Sequence, residues 1–152
     1  MNDTEMMRVA LDAARNAIAS GDIPVGAAIF NSKGEVVAIG HNERELHNDP
    51  TAHAEIVAIR RAAEKFGDWH LTEHTLVVTL EPCAMCAGAI AQSRLQTVVF
   101  GAWDEKAGAV GSVWDLLRDP RSTFRTEVRA GVMADECGAL IKSFIQEVRK
   151  KD

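Results

Sequence analysis

The sequence lacks the features that mark several large classes of protein. It contains no apolar run near the roughly 20 residues that a membrane-spanning helix needs, which excludes a spanning protein. Residues 1–5 are acidic and precede no short apolar segment, so we expect no secretory signal. Three cysteines are too few, and odd in number, for a disulfide framework, and we therefore expect a cytoplasmic protein.

The sequence also lacks an excess of positive charge. Its 17 lysines and arginines are outnumbered by 22 aspartates and glutamates, which gives a formal net charge of -5. This balance argues against broad electrostatic binding of nucleic acid, although it is compatible with a local basic surface. The 152 residues and the 47% hydrophobic content predict one globular domain, 1–152, which can fold without disulfides.

The spacing of apolar residues and turn formers predicts an α/β fold. An amphipathic helix over Thr4 to Ser20 precedes a hairpin with strands over Val25 to Phe30 and Val36 to Gly40. Helices and strands then alternate, which is typical of an α/β domain. In chain order, the remaining predicted elements are a loop over 40–50, a helix over 51–67, a strand over 75–80, a helix over 82–92, a strand over 97–102, a loop over 104–112, a short helical piece before 119, a strand over 127–132 and a helix over 134–150.

Two of these predictions concern the starts of helices. Either Asp49 or Thr51 is expected to supply the oxygen that caps the helix near residue 51. Pro82 is expected at the first position of the next helix, where proline is well tolerated. The runs 76–78 and 98–100 are continuously apolar, which predicts parallel strands covered by helices on both faces.

A group of metal-ligating residue types stands at these two helix starts. His53 opens one predicted helix, while Cys83 and Cys86 lie three positions apart at the next, so both thiols can hold one ion. The positive end of the helix dipole favours the thiolates that ligation requires. One imidazole and two thiolates suit Zn²⁺, and three protein ligands leave a fourth position for water, as in catalytic zinc sites.

Glu55 supplies a base beside this candidate zinc site. It follows His53 by two positions, about 200° round an ideal helix, so both residues face one ion only if that ion sits over the helix end. From there the carboxylate can take a proton from a water molecule whose pKa zinc lowers to about 7, and pass it onward. Glu55 is therefore the expected catalytic residue.

Taken singly, these residues have simpler interpretations. A Cys-x-x-Cys pair also occurs as a redox pair, as half of a zinc site or as two small buried residues. The triplet His53-Ala54-Glu55 can arise by chance on a helix surface. A structural zinc site that adds Cys137 is the main alternative to an open catalytic site. We expect Cys137 instead to be a buried or half-buried thiol, because no second cysteine is near it in the sequence.

The motif His-x-Glu followed by Pro-Cys-x-x-Cys resembles the signature of the zinc-dependent nucleobase deaminases, within the cytidine and deoxycytidylate deaminase superfamily. Over nearly the whole chain, the sequence is similar to the bacterial tRNA-specific adenosine deaminases. The loop Asp104–Ser112 is the part of this similarity that discriminates between families. The segments that carry the similarity are 24–27, Asn42, 49–56, 79–89, 99–102, 104–112 and 134–137.

This resemblance implies a three-layer α/β/α cytidine-deaminase-like fold, with a five-stranded mixed sheet flanked by helices, and a homodimer. It implies RNA editing in tRNA processing, in which the wobble adenosine of an anticodon stem-loop is hydrolysed to inosine with one Zn²⁺ per chain. By matching position, the implied site residues are His53, Cys83 and Cys86 for zinc, Glu55 for proton transfer, Asn42 for the purine base, the Ala54 backbone for closing the pocket, and Asp104 and Lys106 for the flanking nucleotides.

Two other functions compete with this interpretation. A sister deaminase that acts on free guanine, cytosine or cytidine needs the same zinc ligands, and the acidity of the chain suits a small substrate. A non-catalytic, zinc-stabilised RNA-binding domain would leave Glu55 without a role. The loop Asp104–Ser112 and the similarity over the whole chain favour the tRNA deaminase over both.

Overall fold

The computed structural model describes residues 1–151 of the chain. The helices are α1 (Asp3–Arg15), α2 (Arg44–His47), α3 (Ala54–Phe66), α4 (Ala84–Gln92) and α5 (Ala134–Lys151). The strands are β1 (Gly26–Phe30), β2 (Val36–His41), β3 (Thr75–Leu80), β4 (Thr97–Ala102) and β5 (Glu127–Arg129). The helix predicted over Thr4 to Ser20 is present, but it changes to a 3-10 turn over 16–20. Within residues 1–151, no helix has the length and apolar character needed to cross a bilayer.

The strands form one five-stranded sheet in the order β2-β1-β3-β4-β5. β1 pairs antiparallel with both β2 and β3, whereas the β3–β4 and β4–β5 pairs are parallel. The sheet is therefore mixed, as the resemblance implies, and the predicted hairpin forms one edge of it. Because β3 and β4 are parallel, their last residues, Leu80 and Ala102, lie side by side. The segments that follow these two residues carry the candidate site.

Helices cover both faces of the sheet, which gives the expected three layers. On one face, α3 and α4 pack through residues such as Ala58 and Ile90 onto Val78 of β3. On the other face, α1 and α5 pack around Val77, with Leu11 of α1 in the same cluster. Neighbouring residues of β3 thus enter opposite cores, which confirms a strand buried on both faces.

Two glycines allow helices to lie directly against the sheet. A Cβ atom on Gly26 of β1 would lie 2.0 Å from the carbonyl oxygen of Ala10 in α1. A Cβ atom on Gly40 of β2 would lie 2.7 Å from the carbonyl oxygen of Ala54 in α3. Both separations are far shorter than a van der Waals contact, so any side chain would push the helix away. The second contact fixes the start of α3, immediately after His53.

α2 lies in the segment 40–50, which the sequence predicts to be a loop, so that prediction was wrong. The buried carboxylate of Asp22 accepts hydrogen bonds from the backbone N–H groups of Glu45 at 2.6 Å and Leu46 at 3.3 Å. These bonds satisfy N–H groups that a helix start leaves without partners. Asp22 lies 23 positions before Glu45, so no local pattern in the sequence reveals the cap.

The helical piece predicted just before residue 119 was also wrong. Residues 113–118 form an irregular segment, in which Asp115 bridges to Val110 and Arg118 donates a hydrogen bond to the Val110 carbonyl oxygen. These contacts, rather than helical hydrogen bonds, fix the backbone of this segment. The last strand is shorter than the predicted 127–132, because β5 ends at Arg129.

Candidate active site

His53, Cys83 and Cys86 meet beyond the carboxyl end of β3, at the starts of two helices. His53 is the N-cap of α3, Cys83 is the N-cap of α4, and Cys86 lies in the first turn of α4. Nδ1 of His53 lies 3.6 Å from Sγ of Cys83 and 3.5 Å from Sγ of Cys86. One donor atom from each residue lies within 4.8 Å of the other two. The prediction that these three side chains converge is therefore confirmed.

His53 occupies the N-cap position that the sequence assigns to Asp49 or Thr51. Oδ1 of Asp49 instead accepts hydrogen bonds from the N–H group and the hydroxyl group of Thr51, within their own turn. The His53 side chain makes no capping hydrogen bond, so its ring is left for another partner. Pro82 also differs from expectation, because it precedes the N-cap Cys83 rather than opening α4.

The spacing of the three donor atoms suits a tetrahedral zinc ion. A Zn–N bond of about 2.0 Å and a Zn–S bond of about 2.3 Å at a tetrahedral angle separate the nitrogen from the sulfur by about 3.5 Å. The nitrogen–sulfur separations of 3.5 and 3.6 Å match this value. The donor group therefore fits Zn²⁺ in distance as well as in ligand type.

The charges of the two thiols also favour a bound cation. Hydrogen bonds from Cys86 first, and then from His53, lower the pKa of the Cys83 thiol to about 3 despite its burial. The neighbouring Cys83 sulfur first, and then burial, raise the pKa of the Cys86 thiol far above its usual range. The protein alone thus stabilises one thiolate but not two. A soft divalent cation such as Zn²⁺ supplies the charge that a second thiolate needs.

Glu55 lies in the first turn of α3, beside the metal-ligating group. It is 4% exposed, and burial raises the pKa of its carboxyl group above the usual range. Because His53 is an N-cap with an extended backbone, both side chains reach the same cavity although they are two positions apart. The two side chains therefore meet at the start of α3, which is where an ion that faces both of them would have to lie. A carboxyl group with a raised pKa can both accept and donate a proton.

A cavity of about 230 Å³ opens beside these residues. Its lining includes four of the predicted site residues besides the metal ligands, namely Asn42, Ala54, Glu55 and Asp104. His53 and Cys83 also line it, so two of the three metal-ligating residues share one space with the predicted substrate residues. Among the predicted substrate residues, Lys106 is the exception, because it is exposed and is not part of the lining.

Asn42 is buried and is already bonded within its loop. Its Nδ2 atom donates to the carbonyl oxygen of Ile23, and its Oδ1 atom accepts from the backbone N–H of Arg44, both at 3.3 Å. An amide side chain has two N–H donors and an oxygen with two lone pairs, so each end keeps capacity for another bond. Asn42 thus supports its own loop and still presents polar groups to the cavity.

Sequence reasoning missed several residues that line the cavity. Ile23, Val25 and Leu80 form apolar walls, and Arg44 adds a positive charge. Ile23 and Arg44 lie in segments without apolar periodicity, and their positions depend on the contact between Asp22 and α2. Leu80 had a usable signal, because the carboxyl ends of parallel strands are where α/β sheets bind ligands.

Asp104 and Lys106 share a tight turn at the edge of the cavity. Oδ1 of Asp104 accepts hydrogen bonds of 3.1 Å from the backbone N–H groups of Lys106 and Ala107. Asp104 lines the cavity, whereas Lys106 extends from the exposed side of the same turn. The structure thus brings only Asp104 to the zinc-binding group, and it leaves Lys106 outside.

Glu81 is a buried carboxylate of the site that sequence reasoning did not single out. It is 2% exposed, and it accepts hydrogen bonds of 3.0 Å from the backbone N–H groups of Asp104, Val110 and Ser112. The hydroxyl group of Ser112 also donates to it. Burial raises the pKa of Glu81, but the hydrogen bonds outweigh this effect and hold the pKa below its usual value. Glu81 is therefore an anion whose partners all come from one loop.

Cys137 lies in α5, on the opposite face of the sheet. It is 1% exposed, and its sulfur packs so closely on Gly101 of β4 that a Cβ atom there would lie 2.5 Å away. Burial raises the pKa of its thiol to about 11. Within residues 1–150, the only group of ligating side chains close enough to share an ion is His53, Cys83 and Cys86. The prediction of a buried thiol is confirmed, and the alternative zinc site with Cys137 is wrong.

Comparison with known proteins agrees with this geometry. Residues 1–102 match the model of the cytidine and deoxycytidylate deaminase zinc-binding region. The tRNA-specific adenosine deaminase of Bacillus subtilis (strain 168) is 43% identical over 149 residues, which cover 98% of this chain and 92% of that protein.

Solved structures resemble the chain over most of its length. One of these structures comes from work on A-to-I editing by tRNA:A34 deaminases at the wobble position. It has a TM-score of 0.86 and 39% identity, and the match covers 90% of this chain and 99% of the chain in that structure. A guanine deaminase from Nitrosomonas europaea has a TM-score of 0.78 and 27% identity, and the match covers 93% of this chain and 83% of that protein's chain. The chain belongs to the cytidine and deoxycytidylate deaminase family of zinc-dependent enzymes.

Proposed function

We propose that the chain hydrolyses the wobble adenosine of a tRNA anticodon loop to inosine and releases ammonia, with 1–152 acting as one deaminase domain. The observation that carries this proposal is the cavity shared by two of the three metal-ligating residues, His53 and Cys83, with the buried carboxyl group of Glu55 and the amide of Asn42. The tRNA-specific adenosine deaminase of Bacillus subtilis, which is similar over nearly the whole chain, supports tRNA as the substrate.

His53, Cys83 and Cys86 would hold one Zn²⁺, which when bound supplies Lewis acidity that lowers the pKa of water to about 7. Glu55 takes the proton that the attacking water loses and delivers it to the departing amine. In the net reaction a C–O bond forms at C6 of the base, the C–N bond breaks, and ammonia leaves. Glu55 must hold the proton between the two transfers, and its raised pKa suits that role.

Asn42 and the start of α3 orient the base. The free donor and acceptor capacity of the Asn42 amide can pair with polar atoms on the edge of a purine. The backbone of Ala54 closes the cavity, because Gly40 allows α3 to lie against the sheet at this residue. Ile23, Val25 and Leu80 provide apolar surface for the faces of the ring.

The surrounding nucleotides are held by local charges rather than by a broad positive surface. The net charge of -5 argues against strong general attraction to phosphate. In this proposal, Arg44 at the cavity and Lys106 on the exposed turn contact the RNA backbone, and Asp104, in the same turn as Lys106, contacts a nucleotide from the edge of the cavity. An unpaired base in an anticodon loop enters such a cavity with less loss of stacking than a paired base.

The active form is a homodimer, in the cytoplasm where tRNA and a reducing environment are found. Large apolar side chains that are exposed in α4 and in residues 113–116 support a second copy as the partner, since exposed apolar surface is typical of interaction sites. These side chains are Met85, Val113, Trp114 and Leu116. The reducing environment keeps Cys83 and Cys86 available as metal ligands rather than as a disulfide.

The proposal is tested with purified, zinc-loaded protein and an anticodon stem-loop that carries adenosine at the wobble position. Inosine, measured after nuclease digestion, should appear together with an equal amount of ammonia. The matched control is the same RNA annealed to a complementary strand, so that the adenosine is paired; it should react much more slowly because the base must first be extracted. Equal rates on both RNAs, or no inosine from either, would contradict the proposal.

A second candidate function is deamination of free guanine, cytosine or cytidine. A guanine deaminase from Nitrosomonas europaea shares the fold over most of this chain, and the zinc-ligating residue types suit a free base equally well. The greater similarity to a tRNA:A34 deaminase structure favours the RNA substrate. A non-catalytic RNA-binding role has less support, because it leaves Glu55 in the cavity without a function.

A further inference from the structure

Glu81 is the last residue before the Pro82-Cys83 segment, and its charge is buried without a cation. None of the salt bridges within residues 1–150 includes it. A buried carboxylate is normally paired with a positive side chain or surrounded by hydrogen-bond donors. Here the donors are the backbone N–H groups of Asp104, Val110 and Ser112 and the Ser112 hydroxyl. One carboxylate therefore binds both ends of the loop Asp104–Ser112.

The same loop is bonded to the Pro82-Cys83 segment. The N–H group of Ala109 donates to the Pro82 carbonyl oxygen at 2.8 Å, and Gly108 forms a β-bridge with Cys83 itself. The loop approaches so closely that a Cβ atom on Gly108 would lie 2.3 Å from the carboxyl carbon of Glu81. The middle of the loop thus rests on the segment that carries a metal ligand.

These contacts set the conformation of the part of the loop that meets RNA. Asp104, whose N–H group is bound by Glu81, lines the cavity and in turn accepts from the N–H group of Lys106. Without the carboxylate, the donors of Asp104, Val110 and Ser112 would lose a shared acceptor, and the loop would have to be ordered when RNA binds. Ordering a segment on binding lowers affinity.

We propose that Glu81 is a positioning residue, which holds the loop Asp104–Ser112 in its RNA-binding conformation against the Pro82-Cys83 segment. The inference rests on the proposed function, because it assigns the loop to the grip on nucleotides that flank the target base. It predicts that loss of the carboxylate weakens the binding of RNA more than it slows the chemical step. Glu81 itself need not touch the reacting atoms.

The first test is the variant Glu81→Gln, which keeps the size of the side chain but replaces one acceptor oxygen with an NH₂ donor. The KM for the anticodon stem-loop should rise about tenfold or more, since a buried group loses its partner. The kcat should change by less than about threefold, because a rise in KM alone reports lost binding. The zinc content should stay at about one per chain. An unchanged KM, or loss of zinc with a fall in kcat at constant KM, would overturn the proposal.

A second set of variants keeps the test decisive if Glu81→Gln folds poorly. Ser112→Ala removes one donor to Glu81 and should raise KM in the same direction by a smaller factor. Ser93→Ala is the matched control, because its hydroxyl group makes one hydrogen bond, to Ile90, outside the loop. Its KM should match that of the unmodified chain. In the double variant of Glu81 and Ser112, KM should be no higher than in Glu81→Gln, because both changes act on one contact. If the double variant instead raised KM by the product of the two single increases, the two residues would act independently, which would contradict that mechanism.

Hydrogen exchange of the free protein separates this inference from the proposed function. In Glu81→Gln, the amides of Asp104, Val110 and Ser112 should exchange faster, while those of β3 and β4 keep their protection. This result requires no substrate, so it stands even if the chain does not act on tRNA. Unchanged exchange across the loop would show that Glu81 does not order it, and would overturn the inference.

Discussion

Sγ of Cys83 lies 3.6 Å from Nδ1 of His53, although the two residues are 30 positions apart in the chain. Both are N-caps, so two helices present their positive ends to the same point. Neither side chain makes a capping hydrogen bond. The two caps are thus free to act as ligands, and the fold places them at the distance that a tetrahedral zinc ion requires.

The metal content of cysteine variants tests this ligand group. The purified protein should contain about one zinc per chain. Cys86→Ser should lose it, because a hydroxyl group is a poor substitute for a thiolate. Cys137→Ser is the matched control and should keep its zinc, since that thiol is buried on the other face of the sheet. Elemental analysis measures the zinc content of both variants. Loss of zinc from both would refute a site with three protein ligands and an open fourth position.

Replacing Glu55 separates chemistry from binding. Glu55→Gln keeps the size and polarity of the side chain but removes the group that carries the proton. Turnover should fall by about 10²–10⁴-fold, the usual contribution of general acid–base catalysis. Zinc content and the Kd for RNA should change little, because the metal ligands and the loop remain. Single-turnover assays and RNA titrations measure the two effects, and activity within a few-fold of the unmodified chain would show that Glu55 is not the proton carrier.

The variant Asn42→Ala tests recognition of the base. We expect kcat to fall more than RNA affinity, because Asn42 orients the base rather than the RNA backbone. Ser122→Ala serves as a comparison, since that hydroxyl group bonds to Phe124 outside the cavity. Steady-state kinetics with the stem-loop give both constants. An equal loss in the comparison variant, or a loss in binding alone, would count against the role of Asn42.

Gly26→Ala tests the close packing of α1 on the sheet. The added Cβ atom would lie 2.0 Å from a backbone oxygen of α1, and overpacking of this kind lowers the free energy of unfolding by about 1–3 kcal/mol or more. Gly88→Ala in α4 is the control, because nothing lies within 4 Å of its Cβ position. Thermal unfolding should show a lower Tm for the first variant only. A similar Tm for both would mean that α1 shifts without penalty.

Much of the fold could be predicted because local patterns of apolar and turn-forming residues determine its central elements. β3 and β4 have the predicted bounds, since continuous apolar runs end at clear turn residues, and α4 ends at the predicted residue although it begins after Pro82 rather than at it. The metal-ligating group could be predicted for a similar reason, because a Cys-x-x-Cys pair and a histidine each begin a helix. Spacing along a helix turn was enough to predict that Cys83 and Cys86 meet.

The parts that escaped prediction depend on contacts between distant residues. α2 exists because Asp22 binds its N–H groups from 23 positions away. The cap at His53 was missed because Asp49 and Thr51, which look like caps, bond to each other instead. Glu81 drew no attention because its partners lie between 23 and 31 positions later in the chain. Such contacts have no periodic signal in the sequence.

The most direct test of the account compares two substrates in one preparation of zinc-loaded protein. The kcat/KM should be measured for an anticodon stem-loop with adenosine at the wobble position and for free guanine, by following ammonia from both. The account predicts efficient release from the stem-loop and almost none from guanine, because binding requires contacts with the flanking nucleotides. Efficient deamination of guanine, with the stem-loop left unchanged, would contradict it.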